Sequence, residues 1–315
     1  MNILFRVDCE KKIGFGHISR SLILANFLQK KFNCTIFFLI KNYNKKLFNI
    51  NNEKFNIYKF HKRNNNQGWD AQRTLNIINQ EKINCVIVDN YSLKNKWCRI
   101  INKKTKLIIL DDGKIKKYPC YAYINHTINN NNTPNKKIYL GVKYFILNDI
   151  FLKLKKYKIK YDFFINLGSG NLKKYILLLI NILQKRFSKK IKLIIVSNGL
   201  KINNLELKNI KLINKFQFLG RYIKQSKICI GSGGINNLER VFLNKKNFIF
   251  STSEHQEKLC RFLHKKKKIY YFGDIKKINK IKINKNIIIN YSFSNKKIID
   301  QYGSYRISKI IFNKK

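Results

Sequence analysis

Short apolar segments alternate with longer amphipathic segments along most of this 315-residue chain. Val, Ile, Phe and Tyr dominate the short segments, and the longer ones repeat apolar residues at helical spacing. This alternation predicts parallel sheets whose strands are joined by right-handed helical crossovers. The expected strands are residues 3–7, 34–40, 85–88, 107–110, 121–125, 161–167, 192–196, 228–230, 248–250 and 269–272, and the expected helices include 18–31, 71–80 and 175–183.

The alternation pauses over residues 129–137, where Asn and Lys surround Pro134, and it resumes at Tyr161. The chain is long enough for two domains that each bury a core. We therefore expect two Rossmann-like α/β domains, residues 1–150 and 151–315, with an active site in the cleft between them. The sequence leaves open whether the last thirty or so residues pack back on the N-terminal domain.

The chain is strongly basic, with 66 Lys and Arg against 16 Asp and Glu and a formal net charge of +50. A nucleic-acid-binding protein is one interpretation of such a charge. However, the lysines are spread along the whole chain, and Lys, Asn and Ile are abundant where Pro and Gly are scarce. This pattern is typical of AT-rich codon usage. We expect no specific nucleic-acid partner, although the positive field attracts anionic ligands.

The sequence gives no indication of a transmembrane helix or a signal peptide. No apolar run approaches the roughly 18 residues that would span a bilayer. Arg6 and Asp8 interrupt the apolar N-terminal segment, which does not resemble a signal peptide. The seven cysteines are odd in number and include no Cys-x-x-Cys pair, which suits a reducing compartment. We expect a cytoplasmic, monomeric protein without a transmembrane segment.

Polar residues and glycines follow the predicted strands. In parallel α/β sheets, ligands bind beyond the carboxyl ends of the strands. Several of the few acidic residues also fall at these positions. The segments concerned are Asp8, residues 14–20, 89–91 and 111–112 in the first half, and 168–170, 231–234 and 254–256 in the second half.

The segment Gly14-Phe15-Gly16-His17 opens the first predicted helix. Its glycines let a ligand approach backbone N–H groups at a helix N-terminus. It matches a dinucleotide fingerprint poorly, because Ser19 occupies the third glycine position. The helix N-terminus disfavours an imidazolium, which favours a neutral His17 that accepts a proton. We predict that His17 is a general base; a histidine that only caps or packs there is the alternative.

A second glycine pair, Gly233-Gly234, precedes a predicted helix that carries Glu239 about one and a half turns later. Backbone amides at such a turn suit a diphosphate. A carboxylate at that spacing could accept hydrogen bonds from both hydroxyls of a ribose. The alternative is a turn before an ordinary helix with a surface glutamate.

Asp111-Asp112 could form a metal site or supply a general base. No histidine or third carboxylate lies at ligand spacing nearby. We expect a structural loop here and no metal site. His61, His126 and His264 lie in no motif that indicates catalysis.

Taken in order, these motifs resemble the UDP-sugar hydrolases of pseudaminic acid biosynthesis, which release UDP from UDP-2,4-diacetamido-2,4,6-trideoxy-β-L-altropyranose. The resemblance extends over nearly the whole chain. The segments that carry it are residues 5–8, 14–22, 89–91, 110–112, 124–125, 161–165, 233–240, 254–256 and 299–307.

The resemblance implies the GT-B fold, in which two Rossmann-like domains with parallel sheets face each other across an interdomain cleft. The glycosyltransferase that makes lipid II is similar to this family. The resemblance also implies a UDP-sugar substrate, no metal or other cofactor, and inverting attack of water at the anomeric carbon.

The resemblance also assigns roles to individual residues. His17 matches the family's general base, and Tyr91 matches a tyrosine near the sugar. Gly233 and Gly234 match the diphosphate loop, and Glu239 matches a ribose ligand. Further substrate contacts are expected from Asp8, Gly14, Gly16, Arg20, Asp89, Gly168, Gly170, Asn236, Glu254 and Gln256.

Two residues depart from the family pattern. Ser169 stands where a second glycine is common, and Ile235 stands where a small hydroxyl residue is usual. The latter change could remove a phosphate hydrogen bond worth roughly 1–2 kcal/mol. Two alternative functions stay open: a glycosyltransferase on the same fold, which passes the sugar to an acceptor, and a non-catalytic protein that binds nucleotide or RNA.

Overall fold

The computed structural model describes residues 1–8, 16–41, 54–60, 66–113, 115, 117–128, 137–168, 172–196, 209–213 and 219–313. The chain divides into two compact units. The first contains Met1–Leu147 together with Gln301–Lys315, and the second contains Asn148–Asp300. Each unit is built on one parallel sheet, so the predicted α/β class is confirmed.

The sheet of the first unit has seven strands: β1 (Asn2–Asp8), β2 (Thr35–Lys41), β3 (Asn56–Phe60), β4 (Cys85–Asp89), β5 (Lys106–Asp111), β6 (Ala122–Asn125) and β7 (Ile138–Leu140). They lie in the order β3-β2-β1-β4-β5-β6-β7. All neighbouring pairs are parallel. The strand order reverses between β1 and β4, and ligands bind beyond the strand ends at such a reversal.

The sheet of the second unit has six strands: β8 (Tyr161–Asn166), β9 (Leu193–Val196), β10 (Ile210–Ile213), β11 (Ser226–Ser232), β12 (Lys246–Ser251) and β13 (Tyr270–Asp274). They are parallel in the order β10-β9-β8-β11-β12-β13. Here the order reverses between β8 and β11, so this sheet repeats the order of β1 to β6 in the first sheet.

The helices of the described residues are α1 (Gly16–Phe32), α2 (Gln67–Gln80), α3 (Asn95–Asn102), α4 (Lys173–Arg186), α5 (Leu219–Lys224), α6 (Ile235–Phe242), α7 (Glu254–Lys265), α8 (Lys285–Asn290) and α9 (Gly303–Phe312). Short 3-10 helices occur at Val142–Tyr144, Asp149–Phe151 and Ile275–Lys280. Within the described ranges, none of the helices has the length and apolar character needed to cross a bilayer.

Helices cover both faces of the first sheet. Phe5 of β1 packs in a core with residues of α1 and α9, whereas its neighbour Leu4 packs in a separate core with residues of α2 and α3. Both side chains are fully buried. This explains why β1 is apolar over most of its length, since a strand that is covered on both faces has no solvent side.

The C-terminal helix α9 belongs to the first unit. Ile307 and Ile311 of α9 join the core that contains Phe5. Lys106 Nζ donates a hydrogen bond to the Ile311 carbonyl over 3.0 Å, and Arg306 donates to the Lys143 carbonyl over 2.8 Å. The chain therefore leaves the first unit after Leu147 and returns to it at Gln301.

Candidate active site

His17 lies at the point where the order of the first sheet reverses. It is the second residue of α1, which begins at Gly16 near the carboxyl end of β1, and it is only 5% exposed. Its ring Nδ1 contacts Oδ1 of Asp89, the last residue of β4. β1 and β4 are parallel neighbours, with Val7 opposite Asp89, which brings the two side chains together. Gly14 lies outside the described residues.

Asp89 is held from two sides. Arg20, which lies one turn after His17 on α1, donates from Nε to Oδ2 and from Nη2 to Oδ1 of Asp89, both over 2.5 Å. Burial favours the neutral acid, but the charges of Arg20 and His17 outweigh it and lower the pKa of Asp89 to about 2. Asp89 is thus an anion with both oxygens engaged. The expected contact of Asp89 with the substrate stays a prediction.

The hydrogen-bond pattern assigns the tautomer of His17. An ionised carboxylate only accepts hydrogen bonds, so Nδ1 carries the proton that it shares with Asp89. Arg20 Nη2 lies 3.1 Å from Nδ1 and donates to Asp89 Oδ1; a protonated Nδ1 has no lone pair to accept from Nη2. In the neutral form of the ring, Nε2 carries the lone pair, and Nε2 makes no hydrogen bond within the described part of the chain. An imidazole that is positioned by a carboxylate can in that form abstract a proton.

Tyr91 and Asp112 extend this network. The hydroxyl of Tyr91 donates to Asp112 Oδ1, and Arg20 Nη1 donates to Asp112 Oδ2 over 2.8 Å. The rings of Tyr91 and His17 are perpendicular, with centroids 4.4 Å apart. Burial and the Asp112 carboxylate raise the pKa of Tyr91, which keeps its hydroxyl protonated. Tyr91 is 37% exposed, so it can face a ligand.

The Asp111-Asp112 pair divides into two roles. Asp111 accepts hydrogen bonds from the backbone of Asp112 and Gly113, over 2.7 and 2.9 Å, and from the Tyr123 hydroxyl over 2.8 Å. It is therefore a loop-forming residue, as expected. Asp112 instead contacts Arg20 and Tyr91, a role that its sequence context did not indicate. In the part of the chain that the structure describes, no group of three or more His, Cys, Asp or Glu side chains could hold a metal ion.

His126 is a second histidine near the network, and its sequence context gave no reason to single it out. It follows β6 and is 7% exposed. The neighbouring Thr127 donates to the Asp112 carbonyl over 2.9 Å, which ties the segment after β6 to the segment after β5. Burial lowers the pKa of His126 to about 4, and the positive charge of Arg20 also lowers it. The negative charges of Asp112 and Asp89 raise this pKa, but by less. His126 is therefore neutral near pH 7.

His126 should make the protein less stable in mild acid. Because its folded pKa is about 4 against 6.5 for an ordinary histidine, the unfolded chain alone binds a proton between these values. The free energy of unfolding should fall by up to about 3 kcal/mol as the pH drops from 6.5 to 4. Denaturant unfolding of the wild type and of His126→Gln across this range measures the effect. An identical pH dependence in both proteins would contradict it.

Asp8 belongs to a different buried ion-pair cluster. Arg6 pairs with Asp8 over 2.5 Å and with Asp70 over 2.6 Å, and Trp97 Nε1 also donates to Asp70, over 2.9 Å. Asp8 is 5% exposed. Its expected contact with the substrate stays a prediction.

In the second unit, Ser232, Gly233 and Gly234 form a glycine turn between β11 and α6. The Gly233 N–H donates to the Phe250 carbonyl over 3.1 Å, so it is engaged by the sheet. The amides left for a ligand are those at the start of α6, from Gly234, Ile235 and Asn236, since the first N–H groups of a helix lack intrahelical partners.

Helix α7 packs against this turn and brings Gln256 close to its glycines. A Cβ on Gly233 would lie 2.4 Å from Cys260 Sγ of α7, so only glycine fits there. Gln256, also on α7, lies beside both glycines of the turn. Its Oε1 accepts from the Thr252 N–H over 3.0 Å, which leaves Nε2 to donate to a ligand.

The remaining expected contacts are more dispersed. Glu254 is exposed at the first position of α7. Gly168 follows β8 and donates its N–H to Asn166 Oδ1 over 3.0 Å. Ser169 and Gly170 lie outside the described residues.

Glu239 lies on α6, partly exposed, and its carboxylate makes no hydrogen bond or ion pair within the described ranges. Burial raises the pKa of Glu239 to about 8, and the opposing charge of Arg240 reverses little of that shift. A carboxyl group that is desolvated without a partner is typical of a ligand site.

Solved structures define the class of fold. The chain superimposes with a TM-score of 0.63 on the UDP-GlcNAc 2-epimerase of Neisseria meningitidis bound to UDP-GlcNAc, at 13% identity, covering 99% of each chain. It matches the glycotransferase of kitacinnamycin with a TM-score of 0.65, at 9% identity, covering 98% of this chain and 93% of the other. For MurG of Acinetobacter baumannii the TM-score is 0.61, at 11% identity, covering 86% and 85%. The fold is therefore GT-B, as expected.

A curated protein narrows the comparison. The chain is 27% identical over 286 residues to the UDP-2,4-diacetamido-2,4,6-trideoxy-β-L-altropyranose hydrolase of Campylobacter jejuni, covering 84% of this chain and 97% of that protein. This match confirms the resemblance to UDP-sugar hydrolases that the motifs indicate. No family model matches the chain.

Proposed function

We propose that this protein hydrolyses a UDP-activated sugar to the free sugar and UDP. The His17–Asp89 contact carries the proposal, because it orients the imidazole through Nδ1 and leaves Nε2 as the nitrogen that can accept a proton. The similarity to the Campylobacter jejuni hydrolase supports UDP-2,4-diacetamido-2,4,6-trideoxy-β-L-altropyranose as the substrate and pseudaminic acid biosynthesis as the pathway.

The reaction is a single displacement at the anomeric carbon. His17 Nε2 takes a proton from water while the water oxygen forms a bond to the anomeric carbon from the face opposite UDP. The bond between that carbon and the β-phosphate oxygen breaks, and its electron pair leaves with UDP. The configuration is inverted. Asp89 holds Nδ1–H and stabilises the imidazolium that forms.

In the proposed site the second unit binds the UDP portion. The amides of Gly234, Ile235 and Asn236 donate to the β-phosphate at the start of α6, where the helix dipole favours negative charge. Gln256 Nε2 is a further donor beside the turn. Glu239 accepts hydrogen bonds from the ribose hydroxyls. Stabilising the charge that develops on the β-phosphate is what UDP needs in order to leave.

A glycosyltransferase reaction on the same site is the second candidate, favoured by the structural likeness to MurG and to the glycotransferase of kitacinnamycin. In that case a sugar or other hydroxyl acceptor replaces water. His17 would deprotonate the acceptor in the same way, so the residues of the site alone do not separate the two reactions.

Product analysis tests the proposal. The purified protein is incubated with candidate UDP-sugars in the presence of EDTA, and UDP and free sugar are quantified without any acceptor. We expect equimolar UDP and free sugar. Release that begins only after an acceptor is added would favour the transferase. No release with any UDP-sugar or acceptor, while RNA binds tightly, would overturn both enzymatic readings.

The ribose contact predicts a pH dependence of UDP binding. In the free protein Glu239 has a pKa of about 8, and hydroxyl donors favour its ionised form. Ligand binding should therefore release a proton, and affinity should rise with pH. We expect UDP to bind about tenfold more tightly at pH 9 than at pH 7. Calorimetry with wild type and Glu239→Gln checks this. Equal pH dependence in the two proteins would exclude Glu239 as its source.

A further inference from the structure

Arg240 is buried beneath the glycine turn of the second unit. It is 0% exposed, although it follows the partly exposed Glu239 on α6. Its Nε donates to Asn247 Oδ1 over 2.9 Å, and its Nη2 donates to the carbonyl of Ser232, the first residue of the turn, over 3.0 Å. Its Nη1 is buried and has no hydrogen-bond partner within the described ranges.

The charge of Arg240 also lacks a carboxylate partner within the described ranges. The buried arginines of the first unit differ in this respect, because Arg6 and Arg20 each pair with two aspartates. The acid beside Arg240 in the chain, Glu239, has its pKa raised to about 8 and is mostly neutral at pH 7. An unpaired buried charge is costly. Its retention calls for a compensating anion.

The backbone leaves room for the guanidinium only because residue 231 is a glycine. A Cβ on Gly231 would lie 2.7 Å from both Nη1 and Nη2 of Arg240, and 2.5 Å from the Asn166 carbonyl oxygen. The guanidinium therefore lies against the end of β11, immediately before the glycine turn. Two further buried amide nitrogens, Nδ2 of Asn166 and Nδ2 of Asn237, lack partners among the described residues.

We propose that Arg240 is a positioning residue for the phosphates of a bound nucleoside diphosphate, to which it supplies positive charge from behind the glycine turn. The inference rests on the proposed function in taking the diphosphate to bind at this turn. Arg240 acts in two ways. It fixes the Ser232 carbonyl and so the orientation of the turn, and its charge adds to that of the α6 N-terminus. The low-dielectric interior screens this charge less than water would.

Comparison of ligands with and without phosphates tests the role of the charge. Uridine, UDP and inorganic pyrophosphate are titrated into the wild type, Arg240→Met and Arg240→Lys, with thermal unfolding as the measure of folding. We expect Arg240→Met to bind UDP and pyrophosphate on the order of 10- to 100-fold more weakly. Its affinity for uridine should stay within about twofold of the wild type. Arg240→Lys keeps the charge and should retain most of the preference for UDP over uridine.

A purely structural role would give a different pattern. Equal losses for uridine and UDP in Arg240→Met would overturn the proposal, as would unchanged UDP affinity. If Arg240→Met does not fold, Arg240→Lys decides, because loss of its preference for UDP over uridine would contradict a role for the charge. The outcome is separable from hydrolysis. Pyrophosphate binding that depends on Arg240 in a protein without hydrolase activity would support this inference and refute the proposed function. Hydrolysis at the same rate and with the same KM in the wild type and Arg240→Met would support the proposed function and refute this inference.

Discussion

Replacing His17 by glutamine should lower kcat for UDP release by about 10²–10⁴-fold, with little change in KM. Glutamine is neutral and can still contact Asp89, but it has no nitrogen lone pair to accept a proton from water. The attack of water without a general base would then limit the rate. The contacts that bind UDP in the second unit would stay intact. Steady-state kinetics of UDP release measures the effect.

His264 provides the matched control for this substitution. It lies on α7 in the second unit, where its ring packs against Tyr270 and Tyr291. His264→Gln should retain the wild-type kcat. Equal rates in the wild type and His17→Gln, with both proteins folded, would remove His17 from the mechanism.

Replacing Asp89 by asparagine should be as damaging, with a loss in kcat on the order of 10³–10⁴-fold. An asparagine can direct its N–H toward His17 Nδ1, which stabilises the tautomer that carries its proton on Nε2. The nitrogen that faces the substrate would then be a donor and could not accept a proton from water. The substitution would also leave Arg20 with Asp112 as its one carboxylate partner among the described residues.

Because Asp89 is buried and ion-paired, its replacement also costs stability, by about 3–5 kcal/mol. Asp70→Asn is the matched control, since Asp70 is a buried carboxylate of the same unit that pairs with buried Arg6. Asp70→Asn should lose comparable stability and keep its rate per folded molecule within about tenfold of the wild type. Parallel losses of kcat in both variants would indicate a structural role for Asp89 instead.

The sequence predicts the interior strands of both sheets well. β1, β4, β8 and β11 are each covered on both faces, so their residues form apolar runs that stand out in a lysine-rich chain. The strands expected from the sequence do not include β3, β7 and β10, which are edge strands of five, three and four residues. β3 and β10 contain lysine among their apolar residues and β7 has three residues, so none of them forms a long apolar run like those of the interior strands. The edge strand β13 is recognisable because it begins with three consecutive aromatic residues.

The candidate site likewise contains contacts that local sequence patterns do not predict. The glycines and His17 are recognisable because a helix N-terminus has a local sequence pattern. The pairing of His17 with Asp89 is not local, since it depends on the β1–β4 register across 72 residues. Asp112 joins the network from the end of β5, and His126 lies near it because the ends of β5 and β6 are adjacent. The engagement of the Gly233 N–H by Phe250 likewise depends on the pairing of β11 with β12.

Hydrolysis of UDP-2,4-diacetamido-2,4,6-trideoxy-β-L-altropyranose in ¹⁸O-labelled water tests the central claim most directly. Mass spectrometry of the released UDP reports which bond breaks. If His17 activates water for attack at the anomeric carbon, UDP is released without ¹⁸O, the label enters the sugar, and His17→Gln releases almost no UDP. Label in the phosphates of UDP, or no hydrolysis of this or any other UDP-sugar, would contradict the account.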